Sequence, residues 1–521
     1  MMRFRLFLSL CLLLGWGTLS AQTYILISYP DSLNGLRHKL PAEWIVIDAN
    51  HDKKAVTEVE AVAVAEKIIR ILEQNGYPFA EVRLYTGMKS GTENKKEQIY
   101  LQVIANNYIT WDSVVIKGNV NISPHFLAPY LKIKRGKPYD ERLVMQATKA
   151  LEALDYVILL QTPRPTFTKE SAALYLYLDK RQSNTFDGYI GFTSNENGRG
   201  LQLYGQLNLK LANIFGRGES FAVSWNRLQQ NYQTLSLEMN YPCLFQTPFG
   251  LYGQFSLLKN DTNYYKLSVP AGIRYLLRGS DYLQLYYRYE QSNLIGGGTN
   301  GTNGNVHTNN GIIRASSNKT YDSSILYQAN YQSHHYGISI GLKRTDDPQM
   351  PHKGYQWESC FETGEKKITE SAQNSRSWEG YCQGSSYLPL GKRWVQANRL
   401  SAGFISDQQL YESNLFLMGG LRSLRGVDEQ SLRASSYLFI SEEIRFLLNE
   451  TMFVQAFIDG GWYERQLNGN YYHDTPVGIG TGFSLRTKNG VFSISWAIAA
   501  HDQQPFMFKS AKISLGYNAF F

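Results

Sequence analysis

From about residue 184 to the C-terminus, apolar side chains recur at every second position. Leu201, Leu203, Leu207, Leu209 and Leu211 alternate with Gln202, Tyr204, Gln206, Asn208 and Lys210. Tyr265, Leu267, Val269, Ala271, Ile273 and Tyr275 alternate with Lys266, Ser268, Gly272 and Arg274, and Phe492, Ile494, Trp496 and Ile498 with Ser493, Ser495 and Ala497. A period of two is the mark of strands with unlike faces. One face suits lipid and the other a wet lumen. A soluble sandwich also alternates, so the connections carry the distinction. Short turns (Phe215–Gly218, Leu277–Ser280, Lys488–Gly490) alternate with long polar segments, the longest running from about 291 to 333 and including Gly296–Gly304. Strands are predicted near 186–194, 202–212, 218–228, 232–242, 250–260, 264–277, 281–290, 334–344, 354–364, 374–388, 393–403, 435–447, 452–464, 476–487, 490–500 and 508–519. That is a 16-stranded antiparallel membrane barrel over 184–521, and an even count returns the C-terminus to the side from which the barrel began.

Upstream the period changes. Residues 22–107 read as strand, helix, strand, strand. The helix is predicted over Thr57–Asn75 with an apolar face of Val59, Val62, Ala63, Ile69 and Leu72, stopped by Gly76 and Pro78. Residues 108–183 read as strand, helix, helix, strand, strand, with Ser123 and Asp140 as N-caps and Leu143, Val144, Ala147, Ala150, Leu151 and Leu154 on one helix face. The chain therefore combines two α+β modules with an all-β barrel. The first 21 residues read as a secretory signal peptide: Arg3 and Arg5, a short apolar stretch Leu6–Leu14, then Ser20 and Ala21 before a cut.

Composition fits this division. The 521 residues carry 52 basic and 44 acidic side chains, a formal +8, yet only 18% are charged, while 13% are aromatic and 36 are Tyr. A mean hydropathy of −0.33 argues against a helical membrane protein. The positive balance is diffuse, without basic runs interleaved with aromatics, so nucleic acid is not an expected partner. Beyond Cys11 in the signal, Cys243, Cys360 and Cys382 are an odd set without a CxxC pair, which disfavours a disulfide framework or structural zinc. Whether Cys360 and Cys382 pair is left open by spacing. His-Glu-x-x-His and Walker patterns are missing, so no catalytic residue, cofactor or metal site is expected and the chain reads as a non-enzyme. His334 and His335 read as wall residues.

One segment carries a motif. Between the eleventh and twelfth predicted strands stand Leu424, Arg425, Gly426 and Val427. They resemble the (V/L)RG(F/Y) motif in the sixth external loop of the BamA/TamA superfamily of outer-membrane assembly and translocation barrels, with Val427 in place of the usual aromatic. That resemblance implies a loop folded back into the barrel, its Arg paired with acidic residues on the next two strands. The matching positions are Glu443 and Asp459. Parity agrees independently: Val454, Ala456, Ile458 and Trp462 share the lipid face, which places Asp459 in the lumen, and Ile444 and Phe446 do the same for Glu443. A turn near 449–451 puts the two carboxylates opposite or diagonal, about 5–7 Å apart. Glu442 is thereby expected on the lipid face. The second module is similar to a POTRA domain at Gly136, Pro138, Tyr139 and Leu151–Tyr156. The Asp/Pro/Gly turn at 344–354 and the terminal segment with Gly516 and Phe521 resemble the family's turn and its barrel-assembly signal.

The resemblance implies location in the outer membrane of a Gram-negative bacterium, with POTRA-like modules in the periplasm. Expected partners are unfolded outer-membrane or secreted client proteins, outer-membrane lipid and accessory periplasmic or lipoprotein subunits. Expected function is assembly and insertion, or translocation, of those clients. Two alternatives stay open: a two-partner-type secretion pore for one exported protein, which two modules suit, and a passive porin-like or structural barrel.

Overall fold

The computed structural model describes residues 23–520 except 43, 48–52, 89–96, 195–200, 230–231, 261–263, 279, 296–306, 310–311, 315–327, 370–373, 422, 468 and 503. The signal segment 1–21, the run Gly296–Gly304 and Phe521 lie outside the described residues.

In the first module a 21-residue helix, Lys53–Glu73, accompanies a four-stranded sheet. Thr23–Ser28 pairs antiparallel with Trp44–Ile47 and parallel with Glu97–Ile104, which pairs antiparallel with Glu81–Met88. The sheet has one more strand than the pattern predicts, because a four-residue strand is too short to display a period. The buried stripe of the helix also differs. Ala61, Ile68 and Leu72 enter the core with Ile25, Leu33 and Leu101, while Val59 and Val62 are 68% and 49% exposed. Ala and Val occur almost all round this helix, so periodicity could not choose its face.

The second module has strands Thr110–Lys117, Val157–Phe167 and Ser171–Lys180, with the last of these central. Ala172, Leu174, Leu176 and Leu178 alternate into the core and are wholly buried. The helices span Pro124–Tyr130 and Glu141–Glu152. Ser123 Oγ accepts from His125 N (3.2 Å) and Asp140 Oδ1 from Arg142 N (3.0 Å), so both helix starts have a side-chain partner for an otherwise orphaned donor. Two compact units share this module: Ile133–Gln146 and Pro163–Tyr175 group with the first module, and Ile116–Lys132 and Ala147–Thr162 with the barrel.

The barrel closes through sixteen transverse antiparallel strands. They are β1 (Thr185–Ser194), β2 (Leu201–Ala212), β3 (Ser220–Gln229), β4 (Tyr232–Tyr241), β5 (Phe249–Asn260), β6 (Tyr264–Arg278), β7 (Asp281–Leu294), β8 (Tyr331–Thr345), β9 (Gly354–Ile368), β10 (Asn374–Pro389), β11 (Trp394–Asp407), β12 (Ser436–Asn449), β13 (Met452–Leu467), β14 (Val477–Thr487), β15 (Gly490–Ala500) and β16 (Lys512–Phe520). β16 starts later than predicted, because Phe508–Ser510 forms a 3-10 turn. Beyond β14, the outer end of β13 pairs with a short extra strand, Asn470–Asp474. The two β13 partners are separated at Thr475 and Pro476, where proline has no N–H to continue the ladder.

Alternation sets the two faces. On β8, Tyr336, Ile338 and Ile340 point outwards and are exposed, while Ser333, His335 and Ser339 are buried. Leu438, Ile440, Ile444, Val454 and Ile458 do the same on β12 and β13. Such a continuous apolar exterior requires lipid to cover it. Glu442 stands on that exterior, as its parity implies, and accepts from Gln396 Nε2 at 3.2 Å.

The register decides the cysteines. Ser359 lies opposite Cys382 and Cys360 opposite Tyr381, so the two thiols are one residue out of step on β9 and β10 and face opposite sides of the wall. Cys243, Cys360 and Cys382 are all free. The β8–β9 turn is built on two carboxylates. Asp347 Oδ1 accepts from the N–H groups of Gln349 and Met350 (both 2.8 Å), and Asp346 Oδ1 from those of His352 and Lys353 (both 3.0 Å).

The strongest ladders run without interruption, as from Tyr331↔Ile368 to Thr345↔Gly354. At the closing seam, the described residues of β16 and β1 pair as Ala519↔Phe186 and Phe520↔Thr185 alone. Because Cys360 and Cys382 face apart, oxidation of the folded protein with copper phenanthroline should yield no Cys360–Cys382-linked peptide by mass spectrometry. Recovery of that peptide would contradict the register of β9 and β10.

Candidate functional site: a loop latched inside the barrel

The connection from β11 to β12 turns back into the lumen. Its described part contains a 3-10 turn at Glu412–Asn414 and a two-stranded hairpin, Phe416–Met418 with Leu432–Ala434. Leu424 and Val427 are buried with Met418, Leu432, Phe439, Tyr463 and Ala499, so the segment has an apolar core of its own against the wall. Gly426 adopts φ +95°, and a Cβ there would lie 2.8 Å from the Ile498 carbonyl carbon and 2.9 Å from Ala499 N. A glycine is therefore needed both for the left-handed backbone and for the approach to β15.

Arg425 is the centre. Its Nε and Nη2 donate to Asp459 Oδ2 (2.8 Å) and Oδ1 (2.7 Å), a two-pronged pair, and its backbone N–H adds a third bond to Oδ2 at 3.0 Å. Nη1 donates to Glu443 Oε2 and Nη2 to Ser441 Oγ, both at 2.8 Å. The guanidinium stacks on the Phe457 ring, 3.3 Å from its centroid. Arg425, Glu443 and Asp459 are each 5% exposed or less. Register explains the convergence. Ser441 lies directly opposite Asp459, and Glu443 opposite Phe457, so Glu443 is diagonal to Asp459 across β12 and β13.

Residues outside the motif add further cations. Arg445 Nε donates to Glu443 Oε1 at 2.6 Å while its guanidinium lies over Phe453 and Tyr387, 4.7 and 5.3 Å from the ring centroids. With Arg399 of β11, which also acts electrostatically on Glu443 and Asp459, three guanidinium groups surround the two carboxylates, and buried carboxylates are tolerable only when cations compensate them. Arg445 is two residues beyond Glu443 on the same strand face, which is a signal the sequence offered. Ser441 and Phe457 belong to the same parity set. Gly478 is a further participant: a Cβ there would stand 2.3 Å from the Arg425 carbonyl oxygen. Its sequence sign was the alternation Gly478, Gly480, Gly482 along β14, which leaves a groove on the lumenal wall.

The loop is attached at a second level. Arg433 contacts Glu412 and the Tyr232 hydroxyl. Lys366 Nζ donates to the Gln409 carbonyl (2.7 Å) and Asn414 Oδ1 (3.0 Å) and pairs with Asp407 at 2.6 Å. Lys266 Nζ donates to the Ser413 carbonyl at 2.9 Å. Near the barrel end, Asp428 pairs with Lys512 of β16 at 2.8 Å, a half-exposed contact of little energetic weight. Gly516 lies on β16 opposite Ser493, with open space where a Cβ would stand.

Such an arrangement holds a loop in one place. Removing the guanidinium leaves two desolvated carboxylates without their main partner, at a local cost of about 3–5 kcal/mol. Arg425→Ala should therefore give a folded, heat-modifiable barrel whose loop is cut by protease added to intact cells. Arg425→Lys, which keeps charge but loses the fork, should protect it partly. Unchanged protease resistance in Arg425→Ala, with Glu443→Gln and Asp459→Asn also silent, would show that the loop does not depend on this cluster.

The family model for the Omp85 superfamily domain matches residues 213–513, from the end of β2 into β16. Solved structures with similar folds include CdiB from Escherichia coli, with 14% identity, a TM-score of 0.57, and coverage of 98% of this chain and 92% of that one. CdiB from Acinetobacter baumannii gives 13%, 0.52, 98% and 91%. BamA from Haemophilus ducreyi lacking POTRA domains 1–3 gives 15%, 0.48, 95% and 99%. No curated protein matches the chain. With more than half of the sequence matched by one family model, over the barrel that carries the Arg425 cluster, the chain belongs to the Omp85 superfamily of outer-membrane barrels.

Proposed function

We propose that this barrel inserts client proteins into the outer membrane through the seam between β16 and β1. Family membership gives the general class, a barrel for protein insertion or translocation. The observation that supports the specific reading is the inequality of the ladders. The seam pairs at Ala519↔Phe186 and Phe520↔Thr185 alone among the described residues, whereas β1 and β2 pair from Thr185↔Lys210 to Ser194↔Leu201. Few interstrand bonds make the seam the least costly place to open the wall, and the strand edges so exposed are templates for an incoming strand.

The two modules, placed in the periplasm, receive the unfolded client. Their sheets end in the edge strands Trp44–Ile47 and Glu81–Met88, and Thr110–Lys117 and Val157–Phe167; Thr110–Lys117 is already bonded at Trp111 to Gly136 and Lys137, and the other edges can accept an extended peptide. Client folding and burial in lipid supply the free energy. Arg425 acts as a structural latch in this scheme: it fixes the loop against β12–β15, so that opening is confined to the opposite side of β16. A second reading, a secretion pore for one dedicated partner, is supported by the number of modules.

The two readings separate when the seam is locked. Ala519→Cys with Phe186→Cys should form a disulfide that stops insertion of barrel clients, with activity returning on reduction. Insertion that continues through the locked form would refute the seam route. Export of a soluble partner through the locked barrel would favour the pore.

A further inference from the structure

The lumen holds a second buried charged cluster, on the strands preceding the latch. Arg288 of β7 lies opposite His335 of β8, and Glu362 of β9 opposite Glu379 of β10. Two like charges in direct register are unfavourable unless a cation joins them. Arg288 does so in part: its Nη2 reaches both Glu362 and Glu379 (the latter at 2.8 Å), and Nη1 donates to Glu290 at 2.6 Å. Lys266 adds a bond to Glu290 at 3.1 Å.

Two features are left over. His335 is 1% exposed, and its Nδ1 has no hydrogen-bond partner, although it is aimed at the carboxylates and lies 3.9 Å from Glu362 Oε1. Gly364 opposite makes room for the ring, since a Cβ there would be 2.7 Å from Nδ1. One donor atom each from His335, Glu362 and Glu379 falls within 4.8 Å of the others. The second feature is charge. The cluster borders a cavity of about 670 Å³ lined by the carboxylates Glu238, Glu290, Glu358, Glu362 and Glu379 but by only three cations, Lys266, Arg274 and Arg288. Acidic side chains therefore outnumber basic ones on its wall, five to three.

We propose that His335, Glu362 and Glu379 form a lumenal site for one divalent transition-metal ion of the zinc class, held in competition with Arg288. An imidazole nitrogen with two carboxylates is a donor set suited to zinc rather than to magnesium or calcium. One such ion offsets the excess of acidic over basic side chains. It takes the place of Nη2 between the two carboxylates, and Arg288 keeps Glu290 through Nη1. The Tyr286 hydroxyl, donating to Glu362 Oε2 at 2.7 Å, orients that ligand from outside the ion's own shell. His335 keeps its place on the β8 wall in this reading, and the site is independent of the client reading.

The test is calorimetric titration of the chelator-stripped, detergent-purified full chain with zinc chloride at pH 7. One ion per barrel should bind, and excess magnesium should not displace it. His335→Ala and Glu362→Gln should each weaken binding at least tenfold, His334→Ala should not change it, and Arg288→Gln should tighten it by removing the competitor. Each variant is first checked for the heat-dependent mobility of a folded barrel. If a variant does not fold, zinc-edge X-ray absorption of the wild type decides. One imidazole with carboxylate oxygens supports the site. A shell without imidazole, or no saturable binding, overturns it, as does wild-type affinity in folded His335→Ala.

Discussion

A charged side chain taken out of water must find its compensation within the protein, and the lumenal architecture follows from that constraint at Arg425. Its forked bonds to Asp459 and its bonds to Glu443 and Ser441 use four of the five guanidinium N–H donors, and a ring face covers the plane. Nothing in the loop supplies these partners. They come from two neighbouring strands in fixed register, so the loop has a defined position only when the wall is complete. The dependence is mutual, since without Arg425 the two close carboxylates of the wall would lose the cation that bridges them.

The same constraint shapes the backbone nearby. A guanidinium can reach Asp459 only if the loop main chain lies on β14 and β15, which requires Gly426 on the loop and Gly478 on the wall. Apolar contacts by Leu424 and Val427 then exclude water from the pair, and exclusion is what makes the charged bonds strong. At Val427 an aliphatic side chain performs this covering, so the site needs a buried apolar group there and not an aromatic ring as such.

One side of the barrel is thereby fixed and another left loose. β12–β15 are joined by long ladders and by the loop, whereas β16 meets β1 through two residue pairs among those described. Strand number alone would not create this difference. It depends on where the ladders are long and where the inserted loop is attached.

Much of this was legible in the chain. Period-two alternation identified the sixteen strands because one face meets lipid and the other water, and the same parity put Glu443 and Asp459 in the lumen. Capping by Ser123 and Asp140 was readable because it is local. The face of the first helix was not, since its Ala and Val positions have no dominant stripe and the neighbouring sheet selects Ala61, Ile68 and Leu72. Trp44–Ile47 was too short to show a period, and Pro476 marks a break that alternation could not reveal. Whether Cys360 meets Cys382 turned on a register shift of one residue, which spacing does not encode. The His335 cluster likewise depends on which residues stand opposite across strands. Sequence specified the elements and their faces through local chemistry and periodicity, while tertiary structure decided partners, because registry between distant strands is a property of the closed barrel.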